Sequence, residues 1–290
     1  MKRTVFEGTA TAIVTPMKDD LSVDYEALGR LIDFQIDSGI NAIVAVGTTG
    51  ESATLEYSEQ KDVIRFTVER VAGRVPVIAG AGTNNTLHVL ENVRNACEAG
   101  ADALLVVTPY YNKATQNGLI AHFTAVADTS TVPVILYNVP GRTGLDIPVS
   151  VYHTLSRIPK IAGVKEASAD ITKITRIKNA CAPGFAVWSG NDDLAVPAIS
   201  LGSSGVISVA SNICPVEVKA MVDAALDADL DTATDLQLQL QPLCDLLFCE
   251  VNPIPVKEAM RYIGFDCGDC RLPLCRLSKD NQRRMKEFFS

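Results

Sequence analysis

The chain has 290 residues, of which 47% are hydrophobic, 21% charged and 6% aromatic, and its formal net charge is -8. This is the composition of a soluble globular enzyme with a large core, and the acidic balance argues against nucleic acid or an anionic membrane as a partner. No stretch of about 18 residues is uniformly apolar, and residues 1–7 lack the apolar core of a signal peptide. We therefore expect a cytoplasmic protein.

Short apolar and β-branched runs alternate with amphipathic stretches along the first two thirds of the chain. The runs are continuously apolar, which is typical of parallel strands covered on both faces. We predict strands at 10–15, 42–46, 75–79, 103–108, 134–138, 161–165, 185–189 and 205–209. Helical spacing predicts helices at 25–40, 58–71, 87–99, 118–127, 148–155, 170–182 and 192–201.

Eight strands that alternate with helices over about 200 residues predict a (β/α)8 TIM barrel. A doubly wound sheet is the alternative, but it usually has fewer strands, and the glycine-rich segment 80–85 lacks the third glycine of a dinucleotide fingerprint. After residue 211 only helical periodicity remains. We predict a catalytic barrel over 1–224 and a C-terminal helical extension over 225–290 that packs on it, with a helix bent or interrupted near Pro242.

The eight cysteines are too sparse for a disulfide scaffold, so we expect free thiols. Cys267 and Cys270, followed by Cys275, resemble half of a zinc or redox motif. No second such pair follows, and all three histidines lie far upstream. We therefore expect no metal.

Lys165 is the only lysine that interrupts a predicted buried strand, within the apolar run 161–168. A desolvated amine loses stabilisation of its charged form, and the neutral amine is the form that attacks a carbonyl to make a Schiff base. The alternative is a lysine at a strand end whose stem lies on apolar surface while its amine reaches water.

Further polar side chains follow other predicted strands, where barrel enzymes build their sites. Thr48 and Thr49 lie between two glycines and suit a small carboxylate, although a plain turn has the same composition. Tyr137 supplies a phenol beside Lys165, or is a core tyrosine. Arg142 can clamp a second carboxylate, or is a solvated surface arginine. On one rim, these groups indicate imine chemistry on a 2-oxo acid.

Four motifs resemble the dihydrodipicolinate synthase family, and the similarity covers essentially the whole chain. They are Gly47-Thr48-Thr49-Gly50-Glu51, Tyr137-Asn138-Val139-Pro140-Gly141-Arg142-Thr143-Gly144, Gly163-Val164-Lys165-Glu166 and Asn252-Pro253-Ile254-Pro255-Val256-Lys257. The Tyr137 and Lys165 segments mark the wider superfamily of pyruvate-dependent class I aldolases, which includes N-acetylneuraminate lyase. The threonine pair, Tyr111 and Arg142 favour the synthase family within it.

The resemblance implies a lyase that condenses pyruvate with L-aspartate 4-semialdehyde in lysine and diaminopimelate biosynthesis. It implies that Lys165 forms the imine, that Thr48 and Thr49 hold the pyruvate carboxylate, and that Tyr137, Thr48 and Tyr111 relay protons. Arg142 is implied to bind the semialdehyde, with Gly190 and the carbonyl of Ile207 lining the pyruvate site. No cofactor is implied, because the iminium is the electron sink. Relatives lend the tyrosine at position 111 to a neighbouring subunit, which implies a homotetramer, a dimer of dimers.

Lysine-sensitive relatives have a regulatory pocket, whose positions Ser52, Ala53, Asn84 and Tyr110 match here. Where such enzymes often carry two histidines and a glutamate, this chain has Tyr57, Gln60 and His88. The loss of the acidic partner for a lysine amine predicts weak or absent feedback inhibition.

Two other functions stay open at this point. One is another pyruvate-dependent aldolase, acting on a sugar acid or on 4-hydroxy-2-oxoglutarate. The other is a barrel that binds a small ligand without catalysis.

Overall fold

Eight parallel strands close into a barrel in the computed structural model, which describes residues 4–290. The strands are β1 Gly8–Ala12, β2 Ala42–Ala45, β3 Val77–Gly80, β4 Ala103–Val107, β5 Val134–Asn138, β6 Ile161–Glu166, β7 Ala186–Ser189 and β8 Gly205–Ser208. Strand order follows chain order, and β1 pairs with β8 to close the ring. The predicted (β/α)8 TIM barrel is confirmed, and each predicted strand overlaps an observed one. Of the N-terminal segment 1–7, residues 1–3 lie outside the described residues.

Helices cover the outer face of the barrel and continue beyond its last strand. They are α1 Tyr25–Asp37, α2 Tyr57–Val71, α3 Thr86–Glu98, α4 Gln116–Thr129, α5 Pro140–Thr143, α6 Val149–Leu155, α7 Ile171–Ala180, α8 Ala195–Ser200, α9 Pro215–Leu226, α10 Leu230–Leu247, α11 Ile254–Tyr262 and α12 Lys279–Phe289. Several begin at a side chain that accepts a backbone N–H, such as Asp24, Asn85 and Thr115. Such caps satisfy donors that the first helical turn leaves unpaired.

The core has two parts. One apolar cluster fills the barrel interior and includes Ile78, Ile135, Trp188 and Ile207. A larger cluster lies between the sheet and the surrounding helices. Burial on both faces explains why the strands are continuously apolar, and why polar side chains on them are informative.

Of the C-terminal helices, α10 packs against α8 and α9, which follow the last two strands of the barrel. The division into a barrel at 1–224 and an extension at 225–290 stays a prediction. Of the bend or interruption predicted near Pro242, an interruption is absent because α10 runs through that residue, while a bend stays a prediction. Pro242 is exposed, so water can reach the carbonyl that lacks its helical donor.

Two local predictions differ from the structure. Residues 192–201 form a short 3-10 turn, Asp192–Leu194, followed by α8, and the segment after β5 that reads as a loop contains the one-turn helix α5. None of the described helices combines the length and apolar character needed to cross a membrane.

Candidate active site

Lys165 lies in β6, one residue before the strand ends, and only 6% of it is exposed. Its neighbours in the sheet are Tyr137 on β5 and Trp188 on β7. The Lys165 Nζ lies 4.6 Å from the centroid of the Tyr137 ring. The sequence therefore brings amine and phenol side chain together at the C-terminal edge of the barrel, as predicted from their positions at strand ends.

Two other buried lysines provide a contrast with Lys165. Lys173 and Lys257 are 4% and 2% exposed, so all three amines are removed from bulk water. Lys173 forms an ion pair with Asp146 and lies 3.7 Å from Glu166, while Lys257 lies 2.5 Å from the carboxylate of Glu51. Within residues 4–290, Lys165 has no such ion pair. A buried amine without a carboxylate partner is available for chemistry, because no salt bridge must break before it reacts.

Gly190 forms the wall against which the Lys165 stem lies. A methyl group at residue 190 would come 2.9 Å from Lys165 Cε and 2.6 Å from the side chain of Ala167. Any other residue at 190 therefore forces Lys165 or Ala167 to move. Ile207 lies in β8 and is fully buried in the barrel interior.

The loop after β2 places Thr48 at a cavity wall and buries Thr49, which is 3% exposed. Asn252 donates a hydrogen bond from Nδ2 to Thr49 Oγ1 at 3.0 Å, across 203 residues of sequence. The loop is also held by Glu51, whose carboxylate pairs with Lys257 and accepts the backbone N–H of Arg271 at 2.9 Å. Residues of the C-terminal extension thus fix the threonine loop.

Arg142 lies on α5 and contributes to the same cavity wall as Thr48. Its Nη2 donates to the backbone carbonyl of Asn252 at 3.0 Å. The remaining N–H groups of the guanidinium are available for an anion, since this side chain has five donors in a planar fork.

The cavity at this edge of the barrel has a volume of about 540 Å³. Val107, which pairs with Tyr137 in the sheet, lines it. Tyr137 and Lys165 lie one and two strands further round, at the same level, which corresponds to about 5 and 10 Å. Neither Tyr137 nor Lys165 is among the residues that line this cavity, so both lie beside it in the sheet and not in its wall.

Tyr111 does not line this cavity. It is 90% exposed, and its φ of 72° is in the left-handed region that few non-glycine residues adopt. The adjacent Tyr110 lines the cavity, with its hydroxyl 3.4 Å from that of Thr83. The two neighbouring tyrosines therefore have different surroundings: Tyr110 lines the cavity, whereas Tyr111 is exposed to solvent and is not part of the lining.

The residues that match the regulatory pocket of lysine-sensitive relatives lie partly inside and partly outside the lining of the cavity. Ser52 and Ala53 line the cavity, whereas Asn84 lies outside its lining. Gln60 also lines it, but its amide nitrogen already donates to the carbonyls of Ser52 and Leu55, at 2.9 and 3.1 Å.

The two remaining departures from the sensitive pattern contact each other. Tyr57 Oη lies 2.9 Å from Nδ1 of His88, so both groups are engaged with one another. Neither supplies a carboxylate. Only Tyr57 of this pair lines the cavity.

The sequence did not predict one buried acidic residue near this edge of the barrel. Asp192 is 3% exposed, and burial raises the pKa of its carboxyl group. Its Oδ2 accepts the backbone N–H groups of Val209 and Ala210, directly after β8. The only sequence signal is its place after β7, next to the Gly190 segment.

The cysteines of the suspected zinc motif lie in the C-terminal extension as free thiols. Cys267 and Cys270 are buried, and burial raises the pKa of each thiol to about 12. A thiol with so high a pKa is a poor source of the thiolate that binds zinc. Across residues 4–290 there is no group of three or more His, Cys, Asp or Glu side chains placed to hold a metal ion.

A closed parallel barrel with a buried lysine beside a tyrosine at the C-terminal edge of its strands has the architecture of a barrel enzyme, and an amine in this position is suited to imine formation with a carbonyl compound. The sequence model of the family described as "Dihydrodipicolinate synthetase family" matches residues 5–290. The chain belongs to this family.

Similar proteins agree over almost the full length. The chain is 50% identical over 287 residues to the 4-hydroxy-tetrahydrodipicolinate synthase of Thermoanaerobacter sp. (strain X514), covering 99% of this chain and 96% of that relative. It is 49% identical to the enzyme of the same name from Caldicellulosiruptor saccharolyticus, with coverage of 98% and 96%. The crystal structure of dihydrodipicolinate synthase from Aquifex aeolicus superposes with a TM-score of 0.95 at 44% identity, covering 98% of this chain and 97% of that one.

Family membership confirms the activity that the sequence motifs predicted. The protein is a lyase of the class I aldolase type, which condenses pyruvate with L-aspartate 4-semialdehyde in lysine and diaminopimelate biosynthesis. The reaction passes through a covalent lysine imine in place of an external cofactor. The alternatives of a different aldolase or a non-catalytic barrel are set aside.

Proposed function

We propose that this condensation takes place at the C-terminal edge of the barrel, with Lys165 as the nucleophile. The observation that carries the proposal is the contrast among the buried lysines: Lys173 and Lys257 have carboxylate partners, and Lys165 has the Tyr137 ring. The Lys165 amine attacks C2 of pyruvate, and loss of water gives the imine. The iminium then accepts the electron pair released when the methyl group loses a proton, which gives the enamine that attacks the aldehyde.

The buried polar groups around Lys165 have separate tasks in this proposal. Thr48 and Thr49 bind the pyruvate carboxylate with their hydroxyls, while Gly190 and the carbonyl of Ile207 line the pyruvate site. Tyr137 passes protons to and from the reacting oxygen, for which its place beside the amine is suitable. Arg142, which lines the cavity, holds the carboxylate of the semialdehyde.

The activity itself is tested by a coupled assay with pyruvate and L-aspartate 4-semialdehyde. We expect turnover that requires both substrates and survives removal of divalent metal by a chelator. Arg142→Ala is expected to raise KM for the semialdehyde far more than KM for pyruvate. If the wild-type enzyme converted a sugar-acid aldehyde at the same rate as the semialdehyde, the assignment of Arg142 would be contradicted.

We also propose a homotetramer built from two tight dimers, in which Tyr111 completes the proton relay of the neighbouring subunit. The support is that Tyr111 is 90% exposed and does not line the cavity of its own chain. The proposal includes a cytoplasmic location, where the eight thiols stay reduced.

Subunit mixing tests the exchange of Tyr111. Lys165→Ala and Tyr111→Phe subunits, each poorly active alone, are unfolded together and refolded. A hybrid dimer then contains one site with Lys165 and a Tyr111 from its neighbour, so activity should return. No gain over the separate variants would contradict the exchange.

Feedback inhibition by lysine is proposed to be weak or absent. The Tyr57 hydroxyl and His88 bind each other, and the Gln60 amide is bound to backbone carbonyls, so these three residues offer no carboxylate to a lysine amine. The coupled assay run with and without lysine tests this. A low-micromolar inhibition constant would contradict it.

A further inference from the structure

Asn252 lies where the C-terminal extension meets the barrel mouth, just before α11, and is 4% exposed. Its side chain donates to Thr49 Oγ1 at 3.0 Å, and its backbone carbonyl accepts from Arg142 Nη2 at 3.0 Å. One residue therefore contacts both side chains to which the proposed function assigns a substrate carboxylate. The motif that begins at Asn252 resembles the family, but the sequence alone predicts no role for the Asn252 side chain.

The hydrogen bond to Thr49 determines what the threonine hydroxyl can do. A hydroxyl has a single hydrogen to donate. Because Asn252 Nδ2 donates to Thr49 Oγ1, the hydrogen of Thr49 stays available for another acceptor. In the reverse arrangement an acceptor at residue 252 would take that hydrogen, and Thr49 could no longer donate it to a carboxylate.

The Asn252 amide keeps this orientation at a cost. Its Oδ1 is buried and has no hydrogen-bond donor among residues 4–290. Unsatisfied buried acceptors are uncommon and unfavourable. The contact with Thr49 is thus retained although the other end of the amide is unpaired, which is expected where function selects the contact.

The contact with Arg142 orients the second carboxylate-binding group. Donation from Nη2 to a backbone carbonyl fixes one edge of the planar guanidinium and leaves other N–H groups for a ligand. The backbone of Asn252 is itself held nearby, since Lys257 of α11 pairs with Glu51 of the threonine loop. Movement at residue 252 is therefore transmitted to both substrates' binding groups.

We propose that Asn252 is a positioning residue that links the two carboxylate sites, acting on pyruvate through Thr49 and on the semialdehyde through Arg142. This inference rests on the proposed function, because it takes from it the assignment of Thr49 and Arg142 to substrate carboxylates.

Two substitutions test the Thr49 arm. Asn252→Ala removes the donor and should raise KM for pyruvate about tenfold, the size of one lost hydrogen bond to a charged group, with a smaller change in kcat. Asn252→Asp has nearly the same shape but presents an acceptor and a negative charge, so KM for pyruvate should rise further. An Asp variant better than the Ala variant would contradict the argument about the hydroxyl hydrogen.

Asn281→Ala is the matched control for loosening of the extension, since it makes the same chemical change as Asn252→Ala. Asn281 Nδ2 donates to Glu250 Oε1 at 2.7 Å, two residues before Asn252 and away from Thr49 and Arg142. We expect this variant to lower Tm while leaving KM for pyruvate unchanged. If it raised KM as much as Asn252→Ala, the effect would be general loosening and the proposal would be overturned.

A double-mutant cycle and imine trapping decide the matter. If Asn252 acts through Thr49, Asn252→Ala should add little to KM for pyruvate in a Thr49→Val background; an equal increase in both backgrounds overturns the inference. Borohydride trapping should label Lys165 fully in Asn252→Ala at saturating pyruvate, with the half-saturating concentration shifted about tenfold. No label in the wild type would refute the proposed function itself, whereas a labelled wild type and an unshifted variant refute only the role of Asn252.

Discussion

Lys165 and Glu166 are neighbours in β6, but they point to opposite faces of the strand and have different surroundings. Lys165 points into the barrel and has an aromatic ring as its neighbour, 4.6 Å away. Glu166 points towards the helices, where its carboxylate accepts from Asn138, Tyr152 and the backbone of Ser168 at 2.9 to 3.1 Å.

The difference teaches how to separate structural from reactive burial. On the face of β6 that packs against the helices, the charged and polar groups all have partners. The pKa of Tyr152 reflects this environment, because burial first, and then the neighbouring Glu166, raise it. A charge buried in such a network is costly to disturb but has no free capacity to react. The lumen face leaves its amine unpaired, which a fold tolerates where function requires it.

The largest expected effect is on the lumen face. Lys165→Ala should lower kcat at least about 1,000-fold, because no other group can form the imine. Its free energy of unfolding should fall by no more than about 1 kcal/mol, since the substitution also removes an unpaired buried amine. Steady-state kinetics and urea unfolding measure the two quantities. Residual kcat within tenfold of wild type would mean that Lys165 is not the nucleophile.

A loss of stability without a loss of activity is expected on the face of β6 that packs against the helices. Lys173→Met removes one partner of the buried network with Glu166 and Asp146, and should lower the free energy of unfolding by about 3–5 kcal/mol. Because Lys173 does not reach the lumen, kcat per folded molecule should stay within a few-fold of wild type. Adding Glu166→Gln should return part of the lost stability. A large loss of kcat with unchanged stability would remove the distinction between the two faces.

A smaller effect concerns a buried histidine, His122 on α4. Burial lowers its pKa from 6.5 to about 4, so the folded protein keeps the ring neutral while the unfolded chain takes up a proton below pH 6.5. The stability this gives is fully present above pH 6.5 and is lost as pH falls towards 4. Between pH 7 and pH 5 we expect a loss of about 2 kcal/mol from this group.

Urea unfolding of wild type and His122→Gln at the two pH values isolates the His122 contribution. The variant should show a smaller loss between pH 7 and pH 5, because its side chain does not titrate. Identical pH dependence in the two proteins would show that His122 is not the group responsible.

The sequence was sufficient to predict the barrel and the placement of Lys165 beside Tyr137. Continuous apolar runs gave the strands because both faces of a parallel sheet are covered, and Lys165 was conspicuous because it interrupts such a run. Groups at strand ends, such as Tyr137, follow from the rule that barrel sites lie at the C-terminal edge.

Contacts between distant segments could not be predicted. Asn252 reaches Thr49 across 203 residues, and nothing local in either segment indicates the partner. Lys173 and Lys257 lie on amphipathic helices, where a lysine normally lies on the exposed face, so their burial and pairing depend on tertiary packing. A bend or an interruption was predicted at Pro242, and the helix is not interrupted, because that side of α10 faces water.

Trapping with borohydride in the presence of pyruvate tests the central claim most directly. The lumen amine should be reduced onto the pyruvate carbon, so that the peptide containing Lys165 gains the mass of the reduced adduct. Peptides with the paired lysines Lys173 and Lys257 should stay unmodified. A protein that shows no adduct on Lys165, or equal adducts on all three buried lysines, would contradict the account.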